Sequence, residues 1–190
     1  MTAHIWNVWN LTPAISFGTL LALVIYINGL FRRRRTTAVR VTPWRHTAYI
    51  AGVLCAFLAL QSPIESLSDH FFFMHQVEHL LLRMICPFLL ALAAPLPIFL
   101  RGLPRFIRRW LVRPVARNRV MRALYAVLIQ PAVATLVFVG LLFLWEWPVL
   151  HDAALRDQPL HDLMHFTMLM SGLFFWWLVL DPRPKHARLT

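Results

Sequence analysis

The sequence predicts an all-α protein, a polytopic membrane bundle of about five transmembrane helices that forms one integral domain over residues 1–190. Two observations lead to this fold class. The chain is 59% hydrophobic and only 14% charged, with a mean hydropathy of +0.60, whereas soluble domains are about half apolar and a quarter charged. The apolar residues also fall in long runs, several of them close to the length that crosses a bilayer as a helix.

The five predicted spans follow one another along the chain, with basic segments between some of them. The third run is too long for one straight crossing, because an α-helix rises about 1.5 Å per residue. Pro87, Pro95 and Pro97 fall inside this run and are expected to kink or end it. The predicted spans are residues 13–31, 47–62, 71–100, 126–145 and 162–180.

The basic residues indicate how the spans are oriented. Seventeen of the 19 lysines and arginines fall after the first span, after the third span or in the C-terminal tail. The connections on the opposite side contain one basic residue, Arg156. Because basic loops stay in the cytoplasm, we expect the N-terminus outside and the C-terminus inside. The net charge of +11 then indicates contact with anionic membrane lipid and not with nucleic acid.

Two histidine pairs with the same spacing stand at the heads of the third and fifth predicted spans. Residues four apart lie one turn apart on one face of an α-helix, so His75 pairs with His79 and His161 with His165. Ionisable groups inside a membrane are rare and usually functional. The sequence therefore predicts a metal site formed by these four imidazoles on the outer side. The two stretches are 74-MHQVEHLLLRMICP-87 and 161-HDLMHFTML-169.

Other side chains extend this candidate site. Imidazole suits copper, zinc or iron, and the sulfur atoms of Cys86 and Met168, further along the same helix faces, would favour Cu(I). A ligating histidine usually donates its second N–H to an oxygen, and Glu78 and Asp162 are the expected partners. Taken one at a time, such a histidine is more often an interfacial residue, and a buried Met or Cys is more often a packing residue. The paired spacing is what favours the metal site.

Arg83 is an intramembrane cation one turn beyond His79. An unpaired charge at that depth is costly. We therefore expect Arg83 to form an ion pair with Glu78 or with Glu146, at the outer end of the fourth span.

The chain resembles the CtaG-type family of caa3-type cytochrome c oxidase assembly factors. The resemblance implies a non-enzymatic, multi-pass protein of the bacterial inner (cytoplasmic) membrane that serves oxidase assembly as a copper-binding or copper-delivering chaperone of the respiratory chain. Its partners would be subunits of a haem–copper oxidase. The segments that resemble the family are 75-HQVEHLLL-82, 94-APLPIFLR-101 and 161-HDLMHFTMLMSGLFFWWLVLDPRP-184.

The family pattern corresponds to the four paired histidines and, more weakly, to His70 and His151. Two departures are visible. Members of the family have more spans than the five predicted here. Glu78 also stands where the resemblance leads us to expect a neutral amide, which alters the charge around any metal.

Three other functions stay open. The main alternative is a haem-binding membrane electron-transfer protein, with one axial histidine from each of the third and fifth spans. A metal transporter would need polar residues that continue through the membrane, but below Arg83 the third span is apolar. A membrane enzyme with a histidine-ligated metal generally needs more histidines and carboxylates, and the sequence contains no evident nucleophile or acid–base pair. Zinc is an alternative to copper at the same ligands.

Overall fold

The structure is a computed structural model of the chain, and it describes residues 9, 11–33, 42–68 and 71–180. Within these ranges the chain is almost entirely helical and contains no strand. The predicted all-α class is therefore confirmed.

The helices of the described residues vary from one turn to full membrane length. Two π-helical turns interrupt them: Leu81–Ile85 between the fourth and fifth helices, and Arg108–Val112 between the seventh and eighth. The α-helices are α1 Pro13–Arg33, α2 Pro43–Gln61, α3 Pro63–Ser68, α4 Phe72–Leu80, α5 Cys86–Ala93, α6 Leu96–Gly102, α7 Arg105–Ile107, α8 Arg113–Arg117, α9 Arg119–Leu128, α10 Pro131–Glu146, α11 Pro148–Arg156 and α12 Gln158–Val179.

Three helical segments are long and apolar enough to cross a membrane: Pro13–Arg32, Phe72–Ala93 and Gln158–Val179. A fourth crossing results if α9 and α10, which meet at a bend of 74°, form one span. Helix α2, which contains the predicted second span, is not among these candidates. The structure thus supports a membrane protein with three or four candidate spans. The count of five and the orientation stay predictions.

Two predicted spans have breaks that the hydropathy pattern does not reveal. The run predicted over 71–100 ends at Ala93, because Ala94 adopts a left-handed conformation with φ of 45° and Pro95 follows it. The run predicted over 126–145 is divided between Leu128 and Pro131, the first residue of α10. Proline has no backbone N–H to donate to the preceding turn, so a new helix starts there.

Polar contacts join α1 to α2. Gln61 is 0% exposed; it donates a hydrogen bond to the Thr12 carbonyl and accepts one from Ser16 Oγ, both at 2.8 Å. At the other end of the pair the rings of Tyr26 and Tyr49 stack with centroids 3.8 Å apart. Buried amide and hydroxyl groups are tolerated in an apolar environment when they are hydrogen-bonded in this way.

The π-helical turn Leu81–Ile85 sets how α5 faces the rest of the bundle. The N–H of Cys86 bonds to the carbonyl of Leu81, five residues earlier. Pro87 has no N–H to offer to the carbonyl of Arg83, four residues before it. Gly172 of α12 lies directly against that carbonyl and the Pro87 ring. The long helix Phe72–Ala93 and α12 are therefore in close backbone contact, below the histidine-bearing ends of both.

Candidate functional site

Five imidazole rings cluster where α4, α11 and α12 meet. Helix α4 contributes His75 and His79, α11 contributes His151, and α12 contributes His161 and His165. The structure thus brings together the two histidine faces that the sequence predicts to face each other. The ring centroids are separated by 4.1 Å for His75–His79, 4.2 Å for His161–His165, 5.0 Å for His75–His151, 5.5 Å for His79–His165, 5.8 Å for His75–His161 and 6.3 Å for His79–His151.

The five histidines of the cluster differ in how much of their surface is exposed to solvent. His75, His79 and His165 are buried, with 3%, 5% and 7% of their surface exposed, whereas His151 and His161 are half-buried. In the part of the chain that the structure describes, Nε2 of His75 and both ring nitrogens of His79 have no hydrogen-bond partner. Buried nitrogen donors without partners are costly, and they are the atoms that a bound ion would use.

The rings are near one another without forming a coordination sphere. Over residues 9, 11–33, 42–68 and 71–180, no group of three or more His, Cys, Asp or Glu side chains is arranged to hold a metal ion. The donors are gathered, but ring rotations would be needed to direct them at one point. Metal binding at this cluster therefore stays a prediction.

Glu78 lies inside the cluster, closer than its predicted role as an outer partner requires. Its side chain is 0% exposed, and Oε1 is 3.6 Å from Nε2 of His165. The resemblance leads us to expect a neutral amide at this position. When ionised, this carboxyl places a negative charge at the buried end of the cluster, which favours a cationic occupant.

His151 is the weakly predicted histidine that the structure places in the cluster. Its Nδ1 is 3.1 Å from the carbonyl oxygen of Trp145. A carbonyl only accepts, so Nδ1 is the donor and Nε2 is left as the acceptor of a neutral ring. Trp145 is held in turn by a hydrogen bond from its Nε1 to Thr167 Oγ1 at 3.0 Å. Periodicity along one helix cannot reveal such a partner, because His151 belongs to a different helix.

The two predicted sulfur donors lie in packed environments. Met168 is 1% exposed and belongs to an apolar cluster with Trp145, Ala154 and Met164. Cys86 is 0% exposed and lies beside Cys55 and the Ala56 backbone of α2. The prediction for Cys86 assumes a regular α-helix from His79. The π-helical turn contains extra residues per turn and so changes the direction in which Cys86 points.

Two other predicted residues lie away from the rings or outside the described ranges. Asp162 is exposed, and its Oδ1 accepts a hydrogen bond from Gln158 Nε2 at 2.9 Å at the start of α12. Among the described residues it makes this surface contact and no hydrogen bond to an imidazole, and its role as an outer partner stays a prediction. His70, the other weakly predicted histidine, lies outside the described residues.

Arg83 contacts an aromatic residue where an ion pair was predicted. Its Nη2 donates to the backbone carbonyl of Phe138, and its Cζ is 4.4 Å from the centroid of the Phe138 ring. Glu146 adds a favourable electrostatic interaction from further away. Among the described residues no carboxylate lies at ion-pair distance from Arg83. The Phe138 carbonyl and ring therefore stabilise one side of the guanidinium, while Nη1 is buried without a hydrogen-bond partner among the described residues.

Comparison with known proteins agrees with the resemblance described above. The family model for the cytochrome c oxidase caa3 assembly factor matches residues 24–190. A protein of Mycobacterium leprae is 25% identical over 95% of this chain, and proteins of Mycobacterium bovis and Mycobacterium tuberculosis are each 26% identical over 97% of it. All three are described as uncharacterized proteins. The chain spans 28% of the length of these curated relatives. No solved structure matches the chain.

Proposed function

The chain belongs to the cytochrome c oxidase caa3 assembly factor family, and on that basis we propose that it serves assembly of a haem–copper oxidase by holding copper in the histidine cluster. Copper is the cargo in this proposal, and the oxidase subunit that receives it is the partner. The protein contributes binding and release and no bond-making chemistry.

The observation on which this proposal rests is the mutual distance of the imidazoles. A metal–nitrogen bond is about 2.0 Å long, so two imidazole rings on one ion have centroids about 6 Å apart or less. Six ring pairs within the cluster have centroids between 4.1 and 6.3 Å apart. These separations are compatible with two or more ring nitrogens on one ion once the side chains rotate toward it.

The chemistry of the donors fits copper. Neutral imidazole nitrogen is a good ligand for copper in either oxidation state. The buried nitrogens of His75 and His79, which have no hydrogen-bond partner among the described residues, gain a partner when an ion binds. Glu78, buried 3.6 Å from His165, supplies a negative charge that offsets part of the cost of placing a cation there.

The graded exposure supplies a path for the ion. The half-buried rings of His151 and His161 are accessible at the end of the bundle, and each has a centroid within 5.8 Å of the buried His75 ring. An ion can pass between such closely spaced ligands one exchange at a time, without becoming fully desolvated. Transfer in the opposite direction, from the buried to the half-buried histidines, permits release of the ion to a partner at the surface.

The geometry disfavours the haem alternative. A haem iron ligated by His79 and His165, whose centroids are 5.5 Å apart, needs the space around both rings to be free for the macrocycle. His75 is 4.1 Å from His79, and His161 is 4.2 Å from His165. Both neighbours therefore crowd the space that the macrocycle would need, and haem binding would require α4 and α12 to separate.

The test is metal and cofactor analysis of the full chain purified from cells grown with copper, combined with complementation of a strain that lacks it. We expect bound copper, no Soret absorption, and loss of oxidase activity when His79 and His165 are both replaced by alanine. Added copper should restore activity while the oxidase polypeptides stay present. A Soret band with bis-histidine features would favour haem instead. Full oxidase activity with the stably inserted double variant would refute the proposal.

A further inference from the structure

A second cluster of like side chains lies at the opposite end of the long helix from the histidines. The helix Phe72–Ala93 has 22 residues, which corresponds to about 33 Å at 1.5 Å per residue. Beyond its C-terminal end, α6 and the helical segment 105–117 enclose a surface cavity of about 460 Å³. The residues that line this basic cavity are Leu100, Arg105, Arg108, Arg109, Val112 and Arg113.

The four arginines of the basic cavity have no matching negative charge. Among the described residues, none of the four lies within ion-pair distance of a carboxylate. Four guanidinium groups at one cavity repel one another and raise the local positive potential. An anion that accepts several N–H donors removes that repulsion, and the guanidinium fork matches the oxygens of a phosphate.

Exposed apolar side chains of the same segment indicate the depth at which the cavity lies. Phe106 and Trp110 are 65% and 75% exposed, and Leu111 is 61% exposed. These apolar side chains alternate with the arginines, and the Cζ of Arg109 is 6.0 Å from the centroid of the Trp110 ring. Exposed aromatic residues beside arginines are typical of the membrane interface, where the rings reach the acyl chains and the cations stay at the headgroups. The basic cavity is then at the level of the lipid headgroups.

A second, apolar cavity is lined in part by the same helix, α6. Leu100 lines the basic cavity, and its neighbour in α6, Phe99, lines an apolar cavity of about 430 Å³. Leu96 and Tyr125 also line this apolar cavity. A ligand with a phosphate and a hydrocarbon chain can place the phosphate in the basic cavity and the chain in the apolar cavity. A free phosphate can use the basic cavity only.

We propose that the cavity formed by Arg105, Arg108, Arg109 and Arg113 binds the phosphate of an anionic phospholipid, with an acyl chain of that lipid along α6 toward the apolar cavity lined by Phe99. Lipid binding at the basic cavity does not depend on copper binding at the histidine cluster, because the two sites lie at opposite ends of the helix Phe72–Ala93. The guanidinium groups would recognise the phosphate of a lipid and a free phosphate alike. The apolar cavity on the same helix favours the lipid, because only the lipid has a hydrocarbon chain to place there.

The test uses the full chain in an uncharged detergent and measures binding of short-chain phosphatidylglycerol, short-chain phosphatidylcholine and inorganic phosphate. The cavity variant is Arg108→Gln with Arg109→Gln. The matched control is Arg117→Gln with Arg119→Gln, which removes the same charge from exposed positions outside the cavity lining. We expect phosphatidylglycerol to bind about tenfold more tightly than either other probe, and the cavity variant to lose about tenfold in affinity. The control should change by less than about twofold.

Two results would overturn the lipid site. Equal losses in the cavity and control variants would show diffuse attraction to anions, and equal binding of inorganic phosphate would show a site for the free ion. If the glutamine variant does not fold, Arg108→Lys with Arg109→Lys provides the second test, since lysine keeps the charge and loses the fork. We expect this variant to lose severalfold in affinity for phosphatidylglycerol, and an unchanged affinity would also contradict the site.

Discussion

Gly172 of α12 lies directly against the backbone carbonyl of Arg83, and a Cβ added to it would be 2.7 Å from Cγ of Pro87. The close approach depends on two sequence features that act together. Pro87 cannot donate a hydrogen bond to the Arg83 carbonyl, and glycine has no side chain to keep α12 away from it. Because His79 and His165 lie on these same two helices, we expect the contact to hold their backbones close together as well.

Replacing Gly172 with alanine should therefore separate the helices. We expect Gly172→Ala to destabilise the protein by about 1–3 kcal/mol, the usual cost of overpacking, and to lower copper affinity by displacing His165 relative to His79. The measurement is thermal unfolding in detergent with a parallel copper titration. Gly140→Ala is the matched control, since a Cβ there would meet nothing within 4 Å. Equal behaviour of the two variants would contradict the close packing.

The contact between Arg83 and Phe138 predicts an energetic coupling between the long helix and α10. In a double-mutant cycle with Arg83→Met and Phe138→Leu, the coupling should be about 1 kcal/mol, because a cation over an aromatic face gains about 0.5–2 kcal/mol depending on solvent access. The free energy of unfolding of the four proteins gives the value. Strict additivity of the two substitutions would show that the ring contact contributes nothing.

The two acidic residues proposed from the sequence as outer partners should behave differently. Glu78→Gln removes a buried charge 3.6 Å from His165, and we expect it to weaken copper binding by about 10–100-fold, as changes next to metal ligands usually do. Asp162→Asn makes the same chemical change at an exposed residue bonded to Gln158 and should leave the affinity unchanged. Copper titration of both variants measures this. A larger loss with Asp162→Asn would reverse our assignment.

The sequence predicts the two histidine pairs of the site better than its other residues, His151 and Cys86. The four-residue spacing of His75–His79 and His161–His165 is a property of the α-helix itself, so each pair could be assigned to one face from the sequence. His151 is less accessible to such reasoning, because its approach to His75 depends on the break between α10 and α11 near Trp147. Cys86 was assigned to the same face as His79, and the π-helical turn between them removes the regular spacing on which that assignment depends.

The same distinction applies to the fold. Apolar composition and run length predict a helical membrane protein, because burial of apolar surface in lipid is a property of the residues alone. The ends of the runs depend on single backbone positions. Ala94 in a left-handed conformation and Pro131 at a helix start interrupt runs that remain hydrophobic throughout. Hydropathy therefore cannot distinguish a continuous span from a broken one at these two positions.

The central claim is that copper binds between α4 and α12, and the most direct test is the Cu(I) affinity of three forms of the full chain, measured by competition with a chromogenic chelator. The forms are the wild type, the variant His79→Ala with His165→Ala, and the control His46→Ala. His46 lies in α2, where its Nδ1 is 2.8 Å from Tyr26 Oη. We expect one tightly bound copper in the wild type and the control, and an affinity at least about 100-fold lower in the double variant, as loss of direct ligands exceeds the effect of outer partners. Equal copper affinity in all three folded forms would contradict the account.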